Sequence, residues 1–373
     1  MRLHRAFLRL FSVVLVLTLL LCIPALSHAS EESSIILTFT GDCTLGNTEG
    51  LNNKSYSFVN VIKQHGFDYP FKKVQDLFAT DDLTVINLEN VFFDKNNNKS
   101  SKTYNFRSPT SYAAILKQGS VELAFIGNNH VMDYGPQGFE STRQALEDHH
   151  IPWFGSVRGY PAHYIFEKDG IKIGFFGTLP AYFLQSREEL SQTIATLKDA
   201  GCEVIVGVIH AGTEYSWTRD RTQHRMARWM VNNGADLIIG HHPHIPQGMD
   251  IMGHASVLYS LGNFSFGGNH RMTVARRGNI RADKAIVARV ELKFDADKKY
   301  LGHQVNIIPV SPSGEYDANN YQPVVLTGEE AEKTIQMVQR DTAFVLNPYV
   351  EGVGAVQEFI INTRDSMQQA AED

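Results

Sequence analysis

Cysteine is scarce in this chain, with three among 373 residues, and long apolar runs are scarcer still. One such run stands out, Leu10 to Leu21, close to the N-terminus. It follows a basic stretch holding Arg2, Arg5 and Arg9. Pro24 then breaks any helix, and Ser27-His28-Ala29 offers a small-x-small cleavage site. This order reads as a secretory signal over residues 1–29, too short for a permanent span. An uncleaved N-terminal membrane anchor is the alternative. Cys22 resembles a lipoprotein cysteine, but Leu21 stands where lipidation needs a small residue, so lipidation is discounted. No later segment is apolar for long enough to cross a bilayer. The remainder is expected to be soluble and exported, periplasmic or at the cell surface.

Processing leaves only Cys43 and Cys202. Cys43 follows one strand and Cys202 precedes another, which puts them at opposite ends of a parallel sheet, so no disulfide is expected between them. An excess of basic charge is lacking too. The formal net charge is −6, and losing the leader removes three Arg and no acid, giving −9. Such a chain has little nonspecific pull on nucleic acid. An anionic ligand would have to be drawn by a local feature, a metal or an Arg. No Pro/Ser-rich linker divides the middle and no internal repeat is visible. With 43% hydrophobic and 20% charged residues, the composition is that of a globular protein. The reading is one large domain over residues 30–311, followed by a mostly helical extension over 312–373.

Short β-rich runs alternate with helical ones. Strands are expected at Ile35 to Thr40, Leu83 to Leu88, Leu123 to Ile126, Val204 to Ile209, Leu237 to Ile239 and Val257 to Tyr259. Helical spacing covers Phe71 to Ala79, Ser111 to Gln118, Gly138 to His150, Arg187 to Ala200 and Arg221 to Asn233, the last stopped by Gly234. Asp169-Gly170 between two apolar runs marks a β-hairpin, and Ala285 to Phe294 with Leu301 to Ile308 marks a second. Asp94 to Lys102 reads as a solvent-facing loop. The fold class is therefore α/β, a mixed sheet flanked by helices.

What the chain does have is a recurrent placement of polar groups. Asp42 follows the first strand, and Asn87 and Glu89 end the second. Asn128-Asn129-His130 follows the third, with Asp133 soon after. His210 ends a strand with Glu214 beyond it, His241-His242-Pro243-His244 follows another, and Asn263 a further one. In open α/β sheets ligands gather beyond the carboxyl ends of the strands. Convergence on one metal site explains the pattern economically. Imidazole with carboxylate and amide oxygen suits Zn, Mn or Fe, as one or two ions, and does not suit Ca. His242 and His244, two apart on a segment stiffened by Pro243, are expected on one face of an extended strand. Of the asparagines, Asn128 is assigned a structural role and Asn129 a liganding one. Arg107, in Phe106-Arg107-Ser108-Pro109, could clamp an anion with its fork of donors.

These residues, in this order, resemble the CapA family of capsule-biosynthesis proteins, the poly-γ-glutamate synthesis proteins. The likeness rests on Thr40-Gly41-Asp42-Cys43-Thr44-Leu45-Gly46, Asn87-Leu88-Glu89, Gly127-Asn128-Asn129-His130-Val131-Met132-Asp133-Tyr134-Gly135 and His210-Ala211-Gly212-Thr213-Glu214-Tyr215. It continues through Gly240-His241-His242-Pro243-His244 and Ser260-Leu261-Gly262-Asn263-Phe264, and spans roughly residues 35–270. It implies a metallophosphoesterase-like β-sandwich of mixed sheets flanked by helices. By the same resemblance Asp42, Glu89, Asn129, His210, His242 and His244 match metal ligands, and His130 matches a proton-donating histidine that Asp133 would orient. Asp42-Cys43-Thr44 stands where the wider superfamily has Asp-x-His, and Asn-Leu-Glu stands in place of Gly-Asp.

The expected function is an exported, metal-binding, hydrolase-like protein of capsule or poly-γ-glutamate biosynthesis, export or attachment. Its substrate would be an anionic polymer or a small phosphate-bearing molecule, and membrane-bound capsule synthase components its partners. A non-catalytic assembly or polymer-binding subunit and a general phosphoesterase are the alternatives.

Overall fold

The computed structural model describes residues 32–157, 160, 162–270 and 282–364. The signal reading of residues 1–29 and Cys22 lie outside the described residues. Among the described residues no helix is long and apolar enough to cross a membrane.

The strands, in chain order, are β1 (Ser33–Thr44), β2 (Leu83–Leu88), β3 (Val91–Phe92), β4 (Arg107–Ser108), β5 (Leu123–Phe125), β6 (Trp153–Phe154), β7 (Tyr164–Lys168), β8 (Ile171–Thr178) and β9 (Val204–His210). They continue with β10 (Leu237–His241), β11 (Met249–Met252), β12 (Ala255–Leu258), β13 (Asn263–Phe266), β14 (Ala285–Phe294), β15 (Tyr300–Ser311), β16 (Val324–Val325), β17 (Ala355–Val356) and β18 (Ile360–Ile361). The helices are α1 (Phe58–His65), α2 (Gln75–Phe78), α3 (Ala114–Gln118), α4 (Gly135–Asp148), α5 (Pro180–Gln185), α6 (Arg187–Asp199), α7 (Arg221–Asn232) and α8 (Gly328–Gln339).

Two large mixed sheets form. The first runs β16-β15-β14-β1-β2-β5-β6, with β13 beside the end of β1 and β17 and β18 on β15; the second runs β11-β12-β10-β9-β8-β7. Side-chain alternation decides how they stack. On β9, Val204, Val206 and Val208 join a core shared with Leu37, Phe39, Leu83 and Val85 of the first sheet, whereas Ile205 and Ile209 pack with Met226, Met230 and Leu197 of α7 and α6. On β2, Leu83 and Val85 face the other sheet while Ile86 and Leu88 meet Phe58 and Ile62 of α1. The sheets therefore lie face to face, each covered outside by its own helices, and every strand with two buried faces reads as a near-continuous apolar run.

The Asp169-Gly170 hairpin is present, with both residues at positive φ (53° and 76°), as a two-residue turn of this handedness requires. Cys43 and Cys202 are free and buried. The C-terminal extension differs from expectation. Its described part holds one helix, α8, and then short strands that pair with β15. Pro348, Gly352 and Gly354 bar a continuing helix, and β15 offers backbone groups to pair with.

At Arg364, the last described residue, this segment bridges to the second sheet. Arg364 Nη1 donates to Asp236 Oδ2 at 3.2 Å and its Nη2 to the carbonyl of Glu203 at 2.6 Å. Asp236 is fully buried at the start of β10, and burial outweighs the Arg364 charge to push its carboxyl up to about 7. Removing the guanidinium would leave that carboxyl without its cation. Arg364→Ala is expected to lower unfolding free energy by roughly 3 kcal/mol in urea titration; an unchanged midpoint would show that the contact contributes nothing.

Candidate metal centre

Strand register sets the polar residues at the strand ends side by side. In the first sheet Asn263, Asp42 and Asn87 are ladder neighbours on β13, β1 and β2. In the second, His210 and His241 are neighbours on β9 and β10. Parity places them on the inner faces: His210 continues the series Val204, Val206, Val208, and Asn87 continues Leu83, Val85. Asp42 alone needs a correction to its parity. Between Phe39 and Asp42 the first strand spends one residue more than β2 does, a bulge that turns Asp42 inward and Cys43 outward into the helix-side core. Gly41 sits in this bulge where a Cβ would lie 2.1 Å from the carbonyl oxygen of Gly262, so no larger residue fits. Burial pushes the Cys43 thiol up to about 12, which keeps it protonated and unsuited as a ligand.

Two carboxylates with opposite surroundings result. Asp42, fully buried, accepts from Asn87 Nδ2 at 2.8 Å and has His244 Nδ1 3.0 Å from Oδ2 and His241 Nδ1 3.3 Å from Oδ1. The backbone N–H of His242 adds a contact at 3.3 Å. Burial alone would raise its carboxyl, but the two imidazoles outweigh that and hold it well below the usual carboxylate range. Glu89, equally buried, has no hydrogen-bond partner on either oxygen. Burial and then the charge of Asp42 push it well above the usual range. A buried carboxylate without donors is costly unless a cation takes their place.

The atoms around Glu89 lie close enough to one another to share a cation. Glu89 Oε1 is 3.5 Å from His210 Nε2, which is 3.0 Å from Asn129 Oδ1. Ligands about 2.1 Å from a transition metal lie about 3.0–3.4 Å from one another. Donor atoms of Glu89, His210 and His242 lie within 4.8 Å of one another, as do those of Asp42, Glu89 and His244, and those of Glu214, His242 and His244. These sets overlap, so Asp42, Glu89, Asn129, His210, His242 and His244 form one cluster, with exposed Glu214 at its rim.

The histidine segment reaches the site by a different route from the extended strand expected. His242 and His244 both have positive φ, 98° and 62°, so their backbone folds into tight turns after β10. The rings still converge, with centroids 5.9 Å apart, and His242 lies 4.7 Å from His210. His244 is pushed up to about 9: burial opposes this, but Glu89, Asp42 and Glu214 outweigh it. Burial and then the charge of His244 lower His242 to about 4.

His130 stands beside the cluster. Its Nδ1 lies 2.7 Å from Asp133 Oδ2 and its Nε2 3.7 Å from Glu89 Oε1. Burial outweighs the Asp133 contact and lowers its pKa. Asn128 is structural: its Oδ1 accepts from the backbone of His130 and Val131, and its Nδ2 donates to Asn87 Oδ1 and the Leu88 carbonyl. Arg107 points elsewhere, donating to the Phe93 carbonyl and lying 5.6 Å over the Tyr134 ring. The sequence reading missed Lys102. Its loop bends back so that Nζ donates to Asp133 Oδ1 at 2.6 Å and to the Asn129 carbonyl. A polar, aperiodic loop carries no local signal of such a contact. Phe106, 4.5 Å from the His130 ring, was likewise unassigned.

Residues 36–268 match the family described as bacterial capsule synthesis protein PGA_cap. The chain belongs to this family. It is 24% identical over 258 residues to a capsule biosynthesis protein CapA of Bacillus anthracis, covering 63% of this chain and 61% of that one. It is 28% identical over 224 residues to a PGA biosynthesis protein CapA of Bacillus subtilis, covering 55% and 59%. The chain thus matches about six-tenths of the length of these relatives. Among solved structures, a phosphatase of Mycoplasma pneumoniae superposes with a TM-score of 0.43 at 15% identity, covering 78% of this chain and 97% of that one. A purple acid phosphatase of yellow lupin gives 0.36 at 11%, covering 85% and 58%. Likenesses that distant decide nothing about chemistry.

Two outcomes are expected. In metal-free protein, His242→Gly should be about 1 kcal/mol more stable than His242→Ala, because only glycine takes φ near 98° freely; equal stability would show the backbone unstrained. Metal affinity should rise with pH through neutrality. Binding needs ionised Glu89 and is opposed by positive charge on neighbouring His244, and both groups favour their protonated forms here. The His244 contribution to metal-free stability is complete below pH 6.5 and lost as pH rises through about 9, the interval in which the metal gains. Competitive chelator titration at several pH values reads the slope, and a flat profile would contradict it.

Proposed function

We propose that this chain is an exported metal-dependent hydrolase acting on an anionic polymer or phosphate-bearing substrate in capsule biosynthesis, export or attachment. The observation that carries the reading is Glu89, buried and without a donor, facing His210 and His242. The donor set of imidazole, carboxylate and amide suits Zn, Mn or Fe. One ion beside Glu89, His210, His242 and Asn129 fits best, since both oxygens of Asp42 already have partners. The apolar run before Ser27-His28-Ala29 supports export.

When bound, a divalent metal supplies Lewis acidity and brings the pKa of a bound water to about 7. His130 handles the proton. With Nδ1 held by Asp133, only Nε2 is open to take a proton from an attacking water or return one to a leaving group. Lys102, partly exposed beside Asp133, adds positive charge near where an anionic substrate would approach.

A second reading, a non-catalytic assembly or polymer-binding subunit of a synthase complex, is favoured by Thr44. It stands where the wider pattern has a histidine and spends its hydroxyl on the Glu89 carbonyl at 3.2 Å. Elemental analysis and hydrolysis of a model phosphodiester separate the readings. Purified protein should hold close to one transition metal per chain, and His242→Ala with His244→Ala should lose it along with turnover. His130→Ala should keep the metal and lose roughly 100-fold or more in kcat. Metal retained without turnover on any substrate tried would favour the subunit; no metal at all would end both accounts of the site.

A further inference from the structure

The end of the second sheet away from the metal cluster carries a separate cleft of about 890 Å³. It lies at the start of β10, whereas His241 lies at its end, so the two sites are roughly 15 Å apart along the strand. Lys198 at the end of α6, Arg228 on α7 and Arg364 surround it, with His224 and His254 between them and, among the described residues, Asp250 as the one carboxylate in its lining.

The charges are unevenly paired. Asp250 sits 3.9 Å from Arg219 and accepts from Tyr259. Arg364 is engaged with Asp236. Among the described residues neither Lys198 nor Arg228 has a carboxylate within ion-pair distance. Lys198 Nζ donates to the carbonyl of Asn233 at 2.8 Å, which caps the end of α7 and offsets the negative end of that helix. Arg228 Nη2 donates to His224 Nε2 at 2.9 Å and keeps its other donors. His254, 7% exposed, has an Nε2 without a hydrogen-bond partner, and so does Asp236 Oδ1, 3.5 Å away. Two cations without a carboxylate partner among the described residues, lining one cleft with a buried imidazole whose Nε2 lacks a hydrogen bond, stand out in a chain whose formal charge is −6.

We propose that this cleft is a second binding site, independent of the metal, for a small multivalent anion bearing carboxylate or phosphate groups. Arg228 and Lys198 supply the charge and His254 an edge to the floor. Arg364 is a wall whose position Asp236 fixes.

Calorimetric titration of the full chain with tripolyphosphate and with tricarballylate tests this. At least one anion should bind saturably at roughly millimolar or lower concentration, and Lys198→Gln with Arg228→Gln should weaken it roughly tenfold or more. Both side chains are at the surface, and a cooperative melting transition with unchanged circular dichroism verifies the fold. The His242→Ala, His244→Ala protein should bind the anion as the unaltered chain does. Which anion binds tells whether the site takes carboxylates or phosphates. No saturable binding of either, binding indifferent to the Lys198/Arg228 change, or binding lost with the metal-site histidines would each overturn the proposal. Failure here leaves the metal reading untouched, because the two sites share no residue.

Discussion

The Asp42 carboxylate holds the two sheets together at the rim where the candidate metal centre lies. It belongs to the first sheet, yet it meets His241, the His242 backbone and His244, all from the second. These charge contacts, at 3.0–3.3 Å, are weakly screened in a dry interior. Because Asp42 is so fully engaged, the sheets cannot slide at this edge without stranding a buried charge. Glu89, His210 and Asn129 inherit their positions from that fixed edge. The bulge before Asp42 is what makes the contact available: with the same residues in regular alternation, Cys43 would point between the sheets and Asp42 toward the helices.

Much of this was legible in the sequence, for a definite reason. Strand alternation is strict, so a polar residue that continues an apolar series by even steps must face the same way as its predecessors. His210 after Val204, Val206 and Val208 is such a case, and so is Asn87 after Leu83 and Val85. The Asp169-Gly170 hairpin was equally plain, since few residue pairs accept two positive φ values. The route taken by His242 and His244 was hidden, because left-handed backbone at a histidine has no composition signature. Lys102 was hidden for another reason. Its contact with Asp133 is long-range, made by a loop whose own residues show no period. The C-terminal segment misled because α8 has helical spacing while the strands after it gain their order from β15, which is far away in sequence.

The chain divides its polar residues between two ends of one sandwich. At the carboxyl ends of β1, β2, β9 and β10 acids and imidazoles crowd together, with Lys102 at the border. At the opposite end Asp236, Arg364 and the cations of the cleft gather around the starts of β10 and β12. The strands between are almost wholly apolar. That separation has an electrostatic use, because an acidic cluster that attracts a metal and a basic cleft that attracts anions would neutralise each other if adjacent. Distance along the strands keeps both fields.

The contrast between Asp42 and Glu89 also bears on selectivity. Two carboxylates close together cannot both ionise cheaply. Here one is ionised by neighbouring imidazoles and donors, and its charge then holds the other back. A divalent cation entering beside Glu89 removes the penalty in one step, compensating both burial and repulsion. A monovalent ion would offset less of the same cost. A preference for a divalent ion would therefore come from the protein's own unsatisfied charge, before any question of which metal the imidazoles prefer.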